Sequence, residues 1–147
     1  MDKIAIRPAE SGQAAEVLEF WRDAAEGTSI TDDVDGVRIL IERDPGALLL
    51  ALDDTRIVGS VIAGFDGWRC HLYRLAVSPD RRREGIGSAL LEAAHDRFAA
   101  LGGRRTDAMV LERNETGQLA WAAAGYARED QWRRWVRPLG ELRSVEH

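Results

Sequence analysis

Between Ala47 and Val77 the chain carries three runs of strand character, Ala47 to Leu52, Arg56 to Phe65 and Trp68 to Val77, separated only by Asp53-Asp54-Thr55 and Asp66-Gly67. Connections this short cannot hold a crossover, so each run must pair antiparallel with the next, the second turn being of the two-residue hairpin kind. Any fold open to this chain has that meander at its centre.

The flanks switch to helical spacing. Lys3 to Arg7 alternates as a short strand with Ile4 and Ile6 on one face, and Pro8 ends it. Ser11 is expected to cap a helix in which Ala14, Val17, Leu18, Trp21 and Ala25 point inward, and a second helix follows from Asp32 with Val34, Val37, Leu40 and Ile41 inward. Beyond the meander, Ile86, Leu90, Ala93, Phe98 and Leu101 mark a long helix that stops at Gly102-Gly103. Arg105 to Leu111 reads as a strand, Glu115 to Ala124 as a short helix ending at Gly125, Trp132 to Val136 as a last strand, and residues 139–147 as a polar tail. The expected class is α/β of the mixed, α+β kind, with one domain over residues 1–147.

Composition narrows the partners. With 20 basic and 25 acidic residues the net charge is −5, which disfavours broad attraction to nucleic acid or to a membrane surface. No stretch reaches the roughly 20 apolar residues that span a bilayer, and Met1-Asp2-Lys3 opens no signal peptide, so a cytoplasmic location is expected. Cys70 is the single cysteine and His71, His95 and His147 lie apart, so neither a disulfide nor a metal site is expected.

The segment richest in chemistry is Leu75-Ala76-Val77-Ser78-Pro79-Asp80-Arg81-Arg82-Arg83-Glu84-Gly85-Ile86-Gly87-Ser88, a strand that turns through arginines and glycines into a helix. Backbone N–H groups at a helix N-terminus lack intrahelical partners and carry partial positive charge, which suits a phosphate. Gly85 and Gly87 permit a tight turn and close approach, and Arg82 and Arg83 add charge. A Walker loop is excluded because Ser88-Ala89 follows Gly87, and a dinucleotide fingerprint because Leu90 stands where a third glycine belongs.

Arg82-x-x-Gly85-x-Gly87 instead resembles the acyl-CoA loop of the GCN5-related N-acetyltransferases. Further segments are similar to that family in order and spacing: Ile4-Ala5-Ile6-Arg7-Pro8-Ala9, Ile57-Val58-Gly59-Ser60, Leu75-Ala76-Val77-Ser78-Pro79, and Asn114 with Gly125-Tyr126. The resemblance implies a mainly antiparallel sheet of about six or seven strands, flanked by about four helices and splayed between its fourth and fifth strands. The pantetheine arm of acetyl-CoA, the expected co-substrate, would enter that gap as an added strand along Leu75, Ala76 and Val77. Its pyrophosphate would rest on the N–H groups of Arg83, Glu84, Gly85, Ile86, Gly87 and Ser88 beside Arg82, with Asn114 and Trp121 along the arm.

The family's usual proton carriers are missing. The strand position of its glutamate is His71, whose reference pKa of roughly 6.5 suits a base near neutrality, and the position of its helix tyrosine is Trp121, whose indole is no general acid. Strand alternation puts His71, Tyr73 and Leu75 on one face and Leu72, Arg74 and Ala76 on the other, so Tyr73 is expected beside His71 in the cleft and Cys70 in the core. The acceptor site is expected along residues 21–35 and the Asp66-Gly67-Trp68 hairpin, where Trp21 and Trp68 would form walls and Glu26, Asp32, Asp33 and Asp66 would attract a cationic amine. The implied activity is direct acetyl transfer from acetyl-CoA to a small-molecule or peptide amine. The alternative, motivated by Trp121 and the absent glutamate, is a noncatalytic acyl-CoA sensor. A homodimer through Trp132 and Trp135 on a late edge strand is a further expectation.

Overall fold

The computed structural model describes residues 4–24, 32–110 and 115–140. The meander is its centre: β2 (Leu48–Asp53), β3 (Arg56–Phe65) and β4 (Cys70–Val77) pair antiparallel, and β1 (Ile4–Pro8) adds to the free edge of β2. Helices α1 (Ala14–Ala24) and α2 (Val34–Arg43) lie in the connection from β1 to β2, and α3 (Ile86–Ala100) returns the chain to β5 (Thr106–Ala108), which pairs parallel with β4. Helix α4 (Glu115–Ala123) follows. The described sheet runs β1-β2-β3-β4-β5 in space, so the chain is mixed α/β as expected, with five described strands where about six or seven were expected.

The sheet separates two cores. On one face α1 and α2 bury Val17, Leu18, Trp21, Val37 and Ile41 against Leu48, Leu50, Ile62 and Ala76. On the other, α3 buries Ile86, Leu90, Leu91, Ala94 and Phe98 against Leu49, Ala51, Val58, Val61 and Leu72. Each fully buried leucine contributes about 1.5–3 kcal/mol relative to exposure, so the core residues of α3 fix its height and angle over the sheet. Gly59 sets the spacing: a Cβ there would come within 2.9 Å of both Ile86 Cγ2 and Leu90 Cδ1.

Local signals account for most boundaries. Asp33 caps α2 by accepting from the Gly36 N–H at 2.6 Å, and Asp66 Oδ1 accepts from the N–H groups of Trp68 and Arg69 in the β3–β4 turn. Ser11 does not cap α1; it begins a 3-10 turn, Ser11–Gln13, that leads into the helix. The expected strand at Arg105 to Leu111 is shorter, and Leu111 lies outside the described residues, as do Ala25, Glu26 and Asn114. Trp132 to Val136 forms no strand. A strand needs a ladder, and β5, the neighbour at that edge, is only three residues long. Trp132 and Trp135 are exposed instead.

Candidate active site

The register of β4 determines the geometry. Ser60 pairs with Ala76 and Ile62 with Tyr73, so Arg74 and Leu75 together stand opposite Val61, a β-bulge with Arg74 in the left-handed region at φ 57°. A bulge shifts the alternation by one residue. Leu75 and Val77 therefore pack on the α3 face with Leu72, whereas Ala76 joins the α1/α2 core. This corrects the simple alternation that grouped Leu75 with His71 and Tyr73, and Ala76 with Leu72.

A buried polar cluster accompanies the bulge. Trp21 Nε1–H donates to Ser60 Oγ at 2.9 Å, and Ser60 Oγ–H donates to the Arg74 carbonyl at 2.8 Å. The Arg74 guanidinium lies 5.1 Å from the Trp21 ring centroid and pairs with Asp32. Trp21 and Asp32 thus hold the strand from beneath, where the sequence reading had them lining an acceptor site. Trp68 is exposed, with the Arg69 guanidinium 4.5 Å above its ring.

Among the described residues, pairing between β4 and β5 covers Cys70–Leu72 and Thr106–Ala108, while β4 continues to Val77. The strands therefore part after Leu72, the splay expected from the resemblance. Ser78 N–H bonds the Val58 carbonyl at 2.9 Å, so by alternation Ala76 and Ser78 present their amides to β3 and Leu75 and Val77 present theirs to the gap. The Val77 carbonyl faces that way too, accepting from Arg82 Nε at 3.2 Å.

Just beyond the gap lies the N-terminus of α3. Gly85 precedes it at φ 83°, with nothing within 4 Å of where its Cβ would be, and no side chain caps the helix. The first helical bond runs from Ala89 N–H to the Gly85 carbonyl, which leaves the Ile86, Gly87 and Ser88 N–H groups directed out of the helix end. The arginines divide by role. Arg81 is buried and pairs with Asp53 at 2.8 Å and Glu84 at 3.0 Å, which keeps its guanidinium charged and staples the turn. Arg82 and Arg83 stay exposed beside the open helix end. An open left-handed glycine, uncapped N–H groups, two exposed guanidiniums and free strand amides fit a phosphate-bearing ligand with an extended arm. Trp121 is buried on the same side of the sheet, edge-on to Tyr126 at 4.9 Å.

On the other side, a cavity of about 550 Å³ opens beside the C-terminal end of α2, lined by His71 and Tyr73 together with Arg43, Asp44, Phe65 and Asp66. His71 and Tyr73 are thus brought together at the point where the strands part. Burial, with Asp44 nearby, pushes the Tyr73 phenol above its ordinary range, so it is neutral at physiological pH. Amide donation from Arg69 and Trp68 holds the Asp66 carboxyl below the usual carboxylate range, so it stays ionised. Cys70 is buried on the α3 face, away from this cavity.

One partner escaped the sequence reading. Asp107 of β5 sits opposite His71, with its Oδ1 2.8 Å from His71 Nδ1. Its only sequence signal is a charged residue in a short strand; the pairing exists because the β4–α3–β5 crossover sets those two strands in register.

Comparison with known proteins agrees with this geometry. The model of the Acetyltransferase (GNAT) family matches residues 14–126. An acetyltransferase of Yersinia enterocolitica is 31% identical over 110 residues, 75% of this chain and 78% of that protein. Two solved structures share the fold. Ard1 of Thermoplasma volcanium matches with a TM-score of 0.76 at 16% identity, over 84% of this chain and 82% of that one. The PaiA N-acetyltransferase of Thermoplasma acidophilum, solved with coenzyme A, matches with a TM-score of 0.75 at 19% identity, over 87% and 92%.

Proposed function

The chain belongs to the GNAT acetyltransferase family, and from that premise we propose that it moves an acetyl group directly from acetyl-CoA to a primary amine of a small molecule or peptide, with His71 as base. The observation that carries this reading is that the cofactor-type features lie at one face of the β4–β5 gap and the His71–Tyr73 cavity at the other. Two ligands can therefore meet at the gap from opposite sides.

When bound, acetyl-CoA supplies a thioester, an acyl group already attached to a tolerable leaving group. Leu75 and Val77 would hold its arm through their backbone groups, and the N–H groups of Ile86, Gly87 and Ser88 with Arg82 and Arg83 would hold its phosphates. Asn114, outside the described residues, and Trp121 complete the proposed set.

An amine reaches the protein as an ammonium and cannot attack until it loses a proton. Asp107 accepts from His71 Nδ1–H, which fixes that tautomer and leaves the Nε2 lone pair free to take this proton. The resulting imidazolium stays beside the Asp107 carboxylate. Tyr73 contributes a neutral phenol to the same cavity, and Asp66 an anion that attracts the incoming ammonium. The exposed apolar side chains of Trp132, Trp135, Val136 and Leu139 support self-association through that segment, which sedimentation over a range of concentrations tests.

The deciding experiment is calorimetric titration with acetyl-CoA, coenzyme A and ATP, followed by CoA release across a panel of amines. Saturable acetyl-CoA binding without comparable ATP binding, and turnover that collapses in His71→Gln, is expected. Binding without turnover on any amine would leave a sensor in place of an enzyme.

A further inference from the structure

The acceptor cavity has an asymmetry of charge that bears on substrate class. Of its charged side chains, Asp44 is already engaged, its Oδ2 accepting from Arg97 Nη2 at 2.8 Å. Asp66 is fixed by the Trp68 and Arg69 amides and remains an anion. Arg43, at the last residue of α2, is exposed, and its side chain makes no ion pair or hydrogen bond among the described residues. A guanidinium does not lose its proton in proteins, so the cavity presents one unanswered cation beside one fixed anion, with Leu40, Phe65 and Tyr73 as apolar surface.

An acceptor bearing only an ammonium would be attracted by Asp66 and repelled by Arg43. An acceptor that also bears a carboxylate answers both charges: the carboxylate takes the planar, forked donors of Arg43, and the ammonium turns toward Asp66 and His71. A cavity of about 550 Å³ has room for a small zwitterion of this kind. We propose that the acceptor is an amino-acid-like primary amine with a free carboxylate, and that Arg43 determines that specificity. This rests on the acetyl-transfer reading above and names the substrate class of the same site.

The test measures CoA release with ω-amino acids of increasing chain length, with alkylamines of the same lengths, and with the corresponding aminoalkyl phosphonates. The wild-type protein should prefer the aminocarboxylate over the matching alkylamine by about tenfold or more in kcat/KM. Arg43→Gln should lower kcat/KM for the aminocarboxylate by about 10–100-fold, the size expected for a charge-assisted pair, through KM and not kcat, and so remove most of that preference. Arg43→Lys should fall between, since it keeps the charge and loses the fork. Efficient acetylation of alkylamines with no preference for the carboxylate overturns the inference and leaves the acetyltransferase reading standing. So does an unchanged preference in Arg43→Gln, and a stronger preference for the phosphonates overturns the carboxylate class. No transfer to any amine, with acetyl-CoA bound, overturns both readings.

Discussion

Replacing Ser60 with alanine should unsettle the protein far more than the loss of one oxygen suggests. Ser60 is fully buried, and its hydroxyl both accepts from Trp21 Nε1 at 2.9 Å and donates to the Arg74 carbonyl at 2.8 Å. Ser60→Ala removes both bonds and leaves the N–H of a buried tryptophan without a partner. A stranded buried donor costs about 1–3 kcal/mol and the second bond about 0.5–1.5 kcal/mol, so a destabilisation of about 2–4 kcal/mol is expected. For a chain of this length that lowers Tm by about 5–15 °C. Trp21→Phe removes the donor itself, so the double variant Trp21→Phe/Ser60→Ala should be more stable than the sum of the single losses predicts, by at least about 0.5 kcal/mol. Urea unfolding of the four proteins, followed by circular dichroism, measures this directly. Acetyl-CoA KM in Ser60→Ala should also rise, because the Arg74 bulge that turns Leu75 and Val77 toward the gap loses its tie. A loss below about 0.5 kcal/mol, or strict additivity, would refute the reasoning.

Three further outcomes are expected. His71→Gln should lower kcat/KM by about 10²–10⁴-fold, whereas Asp107→Asn should act mainly on kcat and Asp107→Glu should restore part of it; wild-type rates in all three would remove the base from the mechanism. Gly85→Ala places a side chain at φ 83° and should cost about 1–2 kcal/mol in thermal unfolding, while Gly87→Ala, whose Cβ meets Val77 Cγ2 at an ordinary 3.7 Å, should spare stability and weaken acetyl-CoA binding measured by calorimetry. Tyr73 has its phenol raised by burial above the ordinary 10.0, so its contribution to stability is complete below about pH 10 and is lost as pH rises toward the raised folded value, because the unfolded chain releases that proton first. Urea midpoints against pH should fall less steeply above about pH 10 in Tyr73→Phe than in the wild type.

The antiparallel meander, the capped α2 and the glycine-led start of α3 were legible from residue order alone, because each is set by chemistry acting within a few residues. Short connections leave no other pairing for β2, β3 and β4, and Asp33 and Gly85 act on the backbone beside them. From these follow the phosphate-type helix end and the strand that faces it. The faces of β4 beyond Tyr73 were not legible. Alternation holds only along an unbroken ladder, and the bulge at Arg74 coincides with a tie to Ser60 and Trp21, residues far away in sequence. For the same reason Trp21 reads as a pocket wall in sequence and is a buried support in the fold. Trp132 to Val136 has a strand's pattern and no ladder, since β5 offers too short an edge. The pairing of His71 with Asp107, and the placing of Arg43 in the lining of the His71–Tyr73 cavity, join segments that only the β4–α3–β5 crossover and the packing of α2 on the sheet bring together. Local order specified the open, glycine-led helix end beside β4; contacts between distant segments decided which side chains line the cavity beside α2.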